Sequence, residues 1–226
     1  MDDTKSFCEM PHLSRRHILR WGGSAIAITI AGAVLPNFGI SQALAADLGS
    51  GDVGILNYAY ALEQLEAAFY TMVISSPYHG MSHQEHAILT DIRDHEIAHR
   101  KFLKKGLGAK AIPNLQVNFS TVNFKNRQSV LTTAKTFEDL GVSAYNGAAR
   151  HIKTPAYLLA AGKIVSVEAR HAAVIRDLLN PNSNSFAGPD VVGAHGLDKA
   201  LAPGKVLAAA GSFIKSHVTA NNLPGA

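Results

Sequence analysis

Two short strings, HEIAHRKFL and VEARHAAVI, each contain Glu-x-x-His, and each lies downstream of one more glutamate at nearly the same distance. Glu63 precedes Glu96 by 33 residues, with His99 next on that face, and Glu138 precedes Glu168 by 30, with His171 next. A tyrosine follows each upstream glutamate by seven residues, at Tyr70 and Tyr145. One Glu-x-x-His carries little information, because short motifs recur by chance. Two copies, each paired with a segment bearing a further carboxylate, describe a dinuclear metal site built by four helices.

The pattern of apolar residues and helix punctuation predicts those four helices. Residues 52–75 read as the first, with Asp52 as its cap and no proline before Pro77. Ser82 with Glu85 forms a capping box for a second helix running to about Leu107, where Gly106 and Gly108 mark the exit. A third spans about Arg127 to Arg150. The fourth opens at Thr154-Pro155 and stops at Asn180-Pro181-Asn182. Between the second and third lies a connection of 19 residues, 108–126, long enough to cross the bundle and leave those two helices parallel. Residues 181–201 read as loop, 203–218 as a fifth helix, and no segment reads as a strand. The expectation is an all-α four-helix bundle over residues 46–180, with a C-terminal loop and extra helix, 181–226, packed on it.

Core spacing turns the motif residues inward. Ile88, Ile92, Glu96, His99 and Leu103 form one stripe; Val165, Glu168, Ala172 and Ile175 another; Leu131, Ala134, Glu138, Gly141 and Tyr145 a third. Unpaired carboxylates in a core would protonate. Four glutamates against two divalent cations, however, balance in charge. Oxygen-rich ligands with two imidazoles favour iron or manganese, and zinc also fits ligands of these types. The first helix offers two inward carboxylates, Glu63 and Glu66, beside Leu56, Tyr70 and Val73. Superposing the two halves sets Glu63 on Glu138, Tyr70 on Tyr145 and Glu66 on Gly141. This selects Glu63 as the ligand and leaves Glu66 as an alternative ligand or a partner of the ligands.

Residues 1–45 stand apart from the bundle. Ser14-Arg15-Arg16-His17-Ile18-Leu19-Arg20 resembles a twin-arginine export signal, followed by the apolar run Ala25–Leu35 and small residues at Ala43-Leu44-Ala45. That run of 11 residues is too short to span a bilayer, so cleavage after Ala45 leaves no stable membrane span. Cys8, the single cysteine, and Trp21, the single tryptophan, leave with the signal. A thiol-free mature protein must build any metal site from oxygen and nitrogen donors. The net charge of +4 is modest. Its densest basic stretch, Arg100-Lys101-Lys104-Lys105, answers a helix C-terminus rather than forming a nucleic-acid patch.

The segments LEQLEAAFY, DHEIAHRKFL, TFEDLGVSAYNGAA and VSVEARHAAVIRDLL resemble the ferritin-like domain family of exported proteins, within the ferritin-like superfamily, over about residues 50–180. The resemblance implies a ferritin-like bundle in which Glu63 and Glu138 bridge or terminally bind two ions and Glu96–His99 and Glu168–His171 complete them. It implies a periplasmic or extracellular protein that meets the twin-arginine export machinery. It also implies a centre acting on Fe(II), dioxygen or peroxide, in ferroxidase, peroxidase or catalase-like fashion. The alternative is a non-catalytic metal-binding protein of stress or desiccation protection. Self-association into a homo-oligomer belongs to the same expectations.

The remaining candidates have plainer readings. Tyr70 and Tyr145 are expected to be core tyrosines with satisfied hydroxyls, with redox activity or hydrogen bonds to ligand carboxylates as the alternative, and His95 a surface residue about 100° round the helix from Glu96. His79, His83 and His86 are read as solvated, with an adventitious or entry-path metal site as the alternative, and Asp94 and Asp139 as surface charges, with orientation of a histidine ligand as theirs. Arg170 offers a partner for such a carboxylate.

Overall fold

The computed structural model describes residues 45–225. The signal-like segment, with Cys8 and Trp21, therefore lies outside the described residues. Four long helices make the body: α1 (Gly51–Ser75), α2 (His83–Leu107), α3 (Arg127–Ala149) and α4 (Pro155–Leu179). A short α5 (Pro203–Ala210) follows. Two-residue strands β1 (Ala46–Asp47) and β2 (Val218–Thr219) pair in parallel. Among the described residues no helix is long and apolar enough to cross a membrane. The all-α bundle with its extra helix is the observed fold.

The capping box of α2 is present in full: Ser82 Oγ accepts from the Glu85 amide, and Glu85 Oε2 accepts from the Ser82 amide. Asp52 behaves otherwise than expected. Ser50 is the N-cap of α1, and the Asp52 carboxylate instead accepts from the amides of Lys153 and Thr154, each at 2.8 Å. It thereby caps α4, whose own Thr154 makes no side-chain cap. Burial works against the Asp52 charge, but the N–H groups of Lys153 and Thr154 outweigh it and hold the carboxyl below its usual range. The sequence offered a local cap; the fold uses a non-local one.

α1 packs along α2 and α3 along α4, as short links dictate. The two hairpins approach most closely in backbone at α1 and α3, whereas α2 and α4 meet through long side chains. The long crossover runs beside α1. At its beginning the Asn57 side chain donates to the Lys110 carbonyl and accepts from the Ile112 amide, both at 3.0 Å. Further along, Gln64 accepts from the Leu115 amide at 2.8 Å. At its end the His79 amide, just past α1, donates to the Lys125 carbonyl. The segment therefore travels the length of α1 in the same direction, which sets α2 and α3 parallel. Arg127 fixes the arrival, binding Glu85 at the start of α2 (2.6 Å) and the Leu178 carbonyl at the end of α4 (2.7 Å).

The tail departs from expectation. Helix α5 stops at Ala210, not near Val218, and gives way at Gly211 to a 3-10 turn and then extended chain. Tertiary pairing is the reason. The Asn118 amide donates to the Phe213 carbonyl, the Lys215 amide to the Gln116 carbonyl, and Val218–Thr219 lies against Ala46–Asp47. β-branched residues suit that pairing better than another helical turn. Upstream, the tail crosses α3 where a Cβ on Gly147 would run into the Leu201 carbonyl, so only glycine permits the approach. Phe213 then stands edge-on to Phe137, 4.8 Å between centroids, joining Phe69, Phe119 and Phe124 below the bundle's centre.

Asn57 is 2% exposed and serves three backbone groups, the third being the Leu48 carbonyl. Asn57→Ala strands all three, and should lower the unfolding free energy in urea by about 2–3 kcal/mol. A loss below about 0.5 kcal/mol would show that the crossover does not depend on this amide.

Candidate metal centre

Each of the four helices turns one carboxylate into the same volume. Glu63, Glu96, Glu138 and Glu168 are all at 0% exposure, and His171 is at 4%. His99 is slightly more open, its side chain 13% exposed. Helical spacing is the reason: these residues lie on the faces that hold Ile92, Leu103, Leu131, Ala134 and Ile175 against the core.

The geometry is nearly two-fold. His99 Nδ1 lies 2.9 Å from Glu168 Oε1, 3.4 Å from Glu63 Oε2 and 3.7 Å from Glu96 Oε2. His171 Nδ1 lies 2.8 Å from Glu96 Oε1, 3.4 Å from Glu138 Oε2 and 3.5 Å from Glu168 Oε2. Each histidine is thus closest to the glutamate of the other motif. Glu96 and Glu168 present one oxygen to each side, the arrangement of bridging carboxylates. Glu63 and Glu138 present only Oε2, the arrangement of terminal ones. Their Oε1 atoms are occupied by Tyr145 (2.6 Å) and Tyr70 (2.5 Å), respectively. Each tyrosine therefore reaches across from one hairpin to the ligand glutamate of the other.

Eight buried atoms here have no hydrogen-bond partner: Glu63 Oε2, Glu138 Oε2, both oxygens of Glu96 and of Glu168, and the Nδ1 atoms of His99 and His171. Orphaned buried polar atoms are rare and call for an explanation. They divide into two clusters whose ligand atoms lie within 4.8 Å of one another, Glu63–Glu96–His99–Glu168 and Glu96–Glu138–Glu168–His171. Four donors for each of two cations is what the orphaned atoms provide. The residues fit a metal pair, and the buried Glu/His cluster is one that could hold metal. Among the described residues no ligand cluster includes His79, His83 or His86.

A family model described as a ferritin-like domain matches residues 51–181. The chain belongs to the ferritin-like domain family. None of the curated proteins compared with this ferritin-like chain matches it.

Glu66 also reaches this volume, 4% exposed, though outside both clusters. Its room comes from Gly141: a Cβ there would stand 3.2 Å from Glu66 Oε1. The position that aligns with Glu66 in the other half thus faces it in space and has no side chain. The Tyr70 and Tyr145 hydroxyls are satisfied, by the Glu138 and Glu63 carboxylates. Two further expectations change. His95 is half-buried, not a surface residue, and its Nδ1 meets His171 Nε2 at 3.0 Å. Asp139 is no simple surface charge, since it makes a two-pronged pair with the buried Arg176, which also binds Asp190. Asp94 pairs with exposed Arg93, and Arg170 bonds Ser166 rather than a carboxylate.

Without metal, protons must compensate the buried charge. Burial raises Glu138 to about 7, and burial with the charge of Glu168 raises Glu96 well above the carboxylate range. Burial, with Glu96 and the other carboxylates, does the same to Glu66. Burial opposes charge on the imidazoles, but the Glu138 carboxylate, with Glu168 and Glu96 close by, lifts His171 to about 12. Glu63 and its neighbours lift His99 strongly as well. Burial would raise Glu168, yet the close approach of the His171 and His99 imidazoles holds it down at about 2.

A raised folded pKa stabilises below the unfolded value and loses that contribution as pH rises through the folded one. The Glu138 contribution is therefore lost from about 4.3 to 7, and that of His171 from about 6.5 to 12. Glu168, depressed, loses its contribution as pH falls from about 4.3 to 2. The melting temperature of metal-free protein should fall between pH 5 and pH 8, and saturating Mn(II) should remove the fall. A metal-free protein whose melting temperature rises over that range would contradict the proton bookkeeping.

Proposed function

We propose that this is an exported protein whose two-ion iron or manganese centre oxidises Fe(II) or reduces dioxygen or peroxide. The observation that carries the reading is the set of eight orphaned inward atoms, divisible into four donors for each of two ions. Oxygen-rich donors with one imidazole per ion suit iron and manganese better than soft metals. When bound, such a pair supplies electron transfer to or from dioxygen, peroxide or Fe(II). The chain's own residues divide the remaining work. Tyr70 and Tyr145 hold Glu138 and Glu63 in one orientation, while Glu96 and Glu168 have both oxygens free to redistribute between two ions. His99, its side chain 13% exposed, is the metal-site residue nearest to solvent and marks the side from which small molecules would approach.

Export is supported by the arginine pair with its apolar run.

A second reading, a non-catalytic metal-binding or stress-protective protein, draws on the closed α1–α3 side. There Tyr70, Tyr145 and Glu66 are all buried against the ligands. Metal analysis and turnover separate the two. The wild type should hold about two equivalents of iron or manganese, Glu63→Ala or Glu138→Ala about one, and Glu96→Ala or Glu168→Ala fewer than about one. Uptake below about one equivalent by folded wild type overturns the dinuclear reading. Full loading without Fe(II) oxidation or peroxide consumption favours the protective role.

A further inference from the structure

The two halves of the centre are built alike but not supported alike. His171 turns Nδ1 toward Glu96, Glu138 and Glu168. Its other ring nitrogen, Nε2, lies 3.0 Å from His95 Nδ1, with the two rings 5.2 Å apart and within 10° of parallel. Matching the Glu-x-x-His strings residue for residue sets His95 of HEIAH on Val167 of VEARH. In the half that holds His99, the corresponding side chain can neither donate nor accept. The approximate two-fold is therefore broken in the shell behind the ligands, at one histidine and not the other.

We propose that His95 is the positioning residue for His171, and that it makes the ion held by Glu96, Glu138, Glu168 and His171 bind more tightly than the ion held by Glu63, Glu96, His99 and Glu168. This rests on the two-ion reading. A histidine that gives Nδ1 to a metal keeps its remaining proton on Nε2. His171 Nε2–H then donates to His95 Nδ1, and His95 carries its own proton on the outward Nε2. Such a bond fixes the tautomer, aims the ring and increases the ligand's electron donation. Outer partners of this kind are commonly worth about 10–100-fold in metal affinity. His99 gains no such support from Val167, so the two positions fill in order.

The test is a Mn(II) titration of the metal-free full chain, followed by calorimetry and by the electron paramagnetic resonance of free Mn(II). Wild type should bind in two resolved steps. His95→Val, which copies the other half, should weaken the tighter step about tenfold or more while preserving two equivalents in total. His95→Gln, whose amide oxygen can accept from His171 Nε2, should recover part of the loss and also controls for folding. Unchanged steps in His95→Val, or equal weakening of both, overturn the inference while leaving the two-ion centre standing. A wild type that takes up no Mn(II) or Fe(II) overturns both.

Discussion

Four carboxylates and two imidazoles converge in the middle of an apolar bundle, and that convergence is the constraint on which the rest of the structure depends. Ionised carboxylates cannot remain unpaired in such a place; they protonate or find cations. The fold brings them in from four separate helices, so the cost is tolerable only when all four arrive together. Two divalent ions neutralise four glutamates. Without ions, raised pKa values on Glu96, Glu138 and Glu66 and cationic His99 and His171 make up the difference. Bound metal and bound protons are therefore alternative occupants of the same electrostatic well.

Much of the surrounding architecture serves to hold that convergence. Tyr70 and Tyr145 cross between hairpins and fix the terminal glutamates. Asn57 and Gln64 tether the crossover to α1, so that α3 and α4 return in the orientation that presents Glu138 and Glu168. Asp52 starts α4 from a distance, and the buried Arg176 ties α4 to α3 through Asp139 one residue past Glu138. Tyr70, Tyr145 and Glu66 fill the α1–α3 side. The opposite flank, between α2 and α4, keeps the histidines nearest to solvent.

The convergence of Glu63, Glu96, His99, Glu138, Glu168 and His171 was legible in the sequence because helical spacing converts Glu-x-x-His directly into a shared face, and the internal repeat supplied Glu63 and Glu138. The repeat also aligned Glu66 with Gly141, which the structure turns into a physical pairing of a carboxylate with the space it needs. Which glutamates face both histidines was not legible: the placement of Glu96 and Glu168 between His99 and His171 depends on the distance between hairpins, which no spacing encodes. His95 was misjudged for a related reason. Its helical angle is measured about α2 alone, and α4 brings His171 round to meet it. The end of α5 and the partner of Asp52 failed likewise, since pairing with distant backbone overrode local propensity in both.

Anomalous diffraction from crystals of the protein grown with Mn(II) or Fe(II) tests the central claim most directly. Two peaks are expected about 3.5–4 Å apart, both in contact with Glu96 and Glu168, one completed by Glu63 and His99 and the other by Glu138 and His171. A single peak, or metal seated away from Glu96 and Glu168 at sites such as His79, His83 and His86, would contradict it.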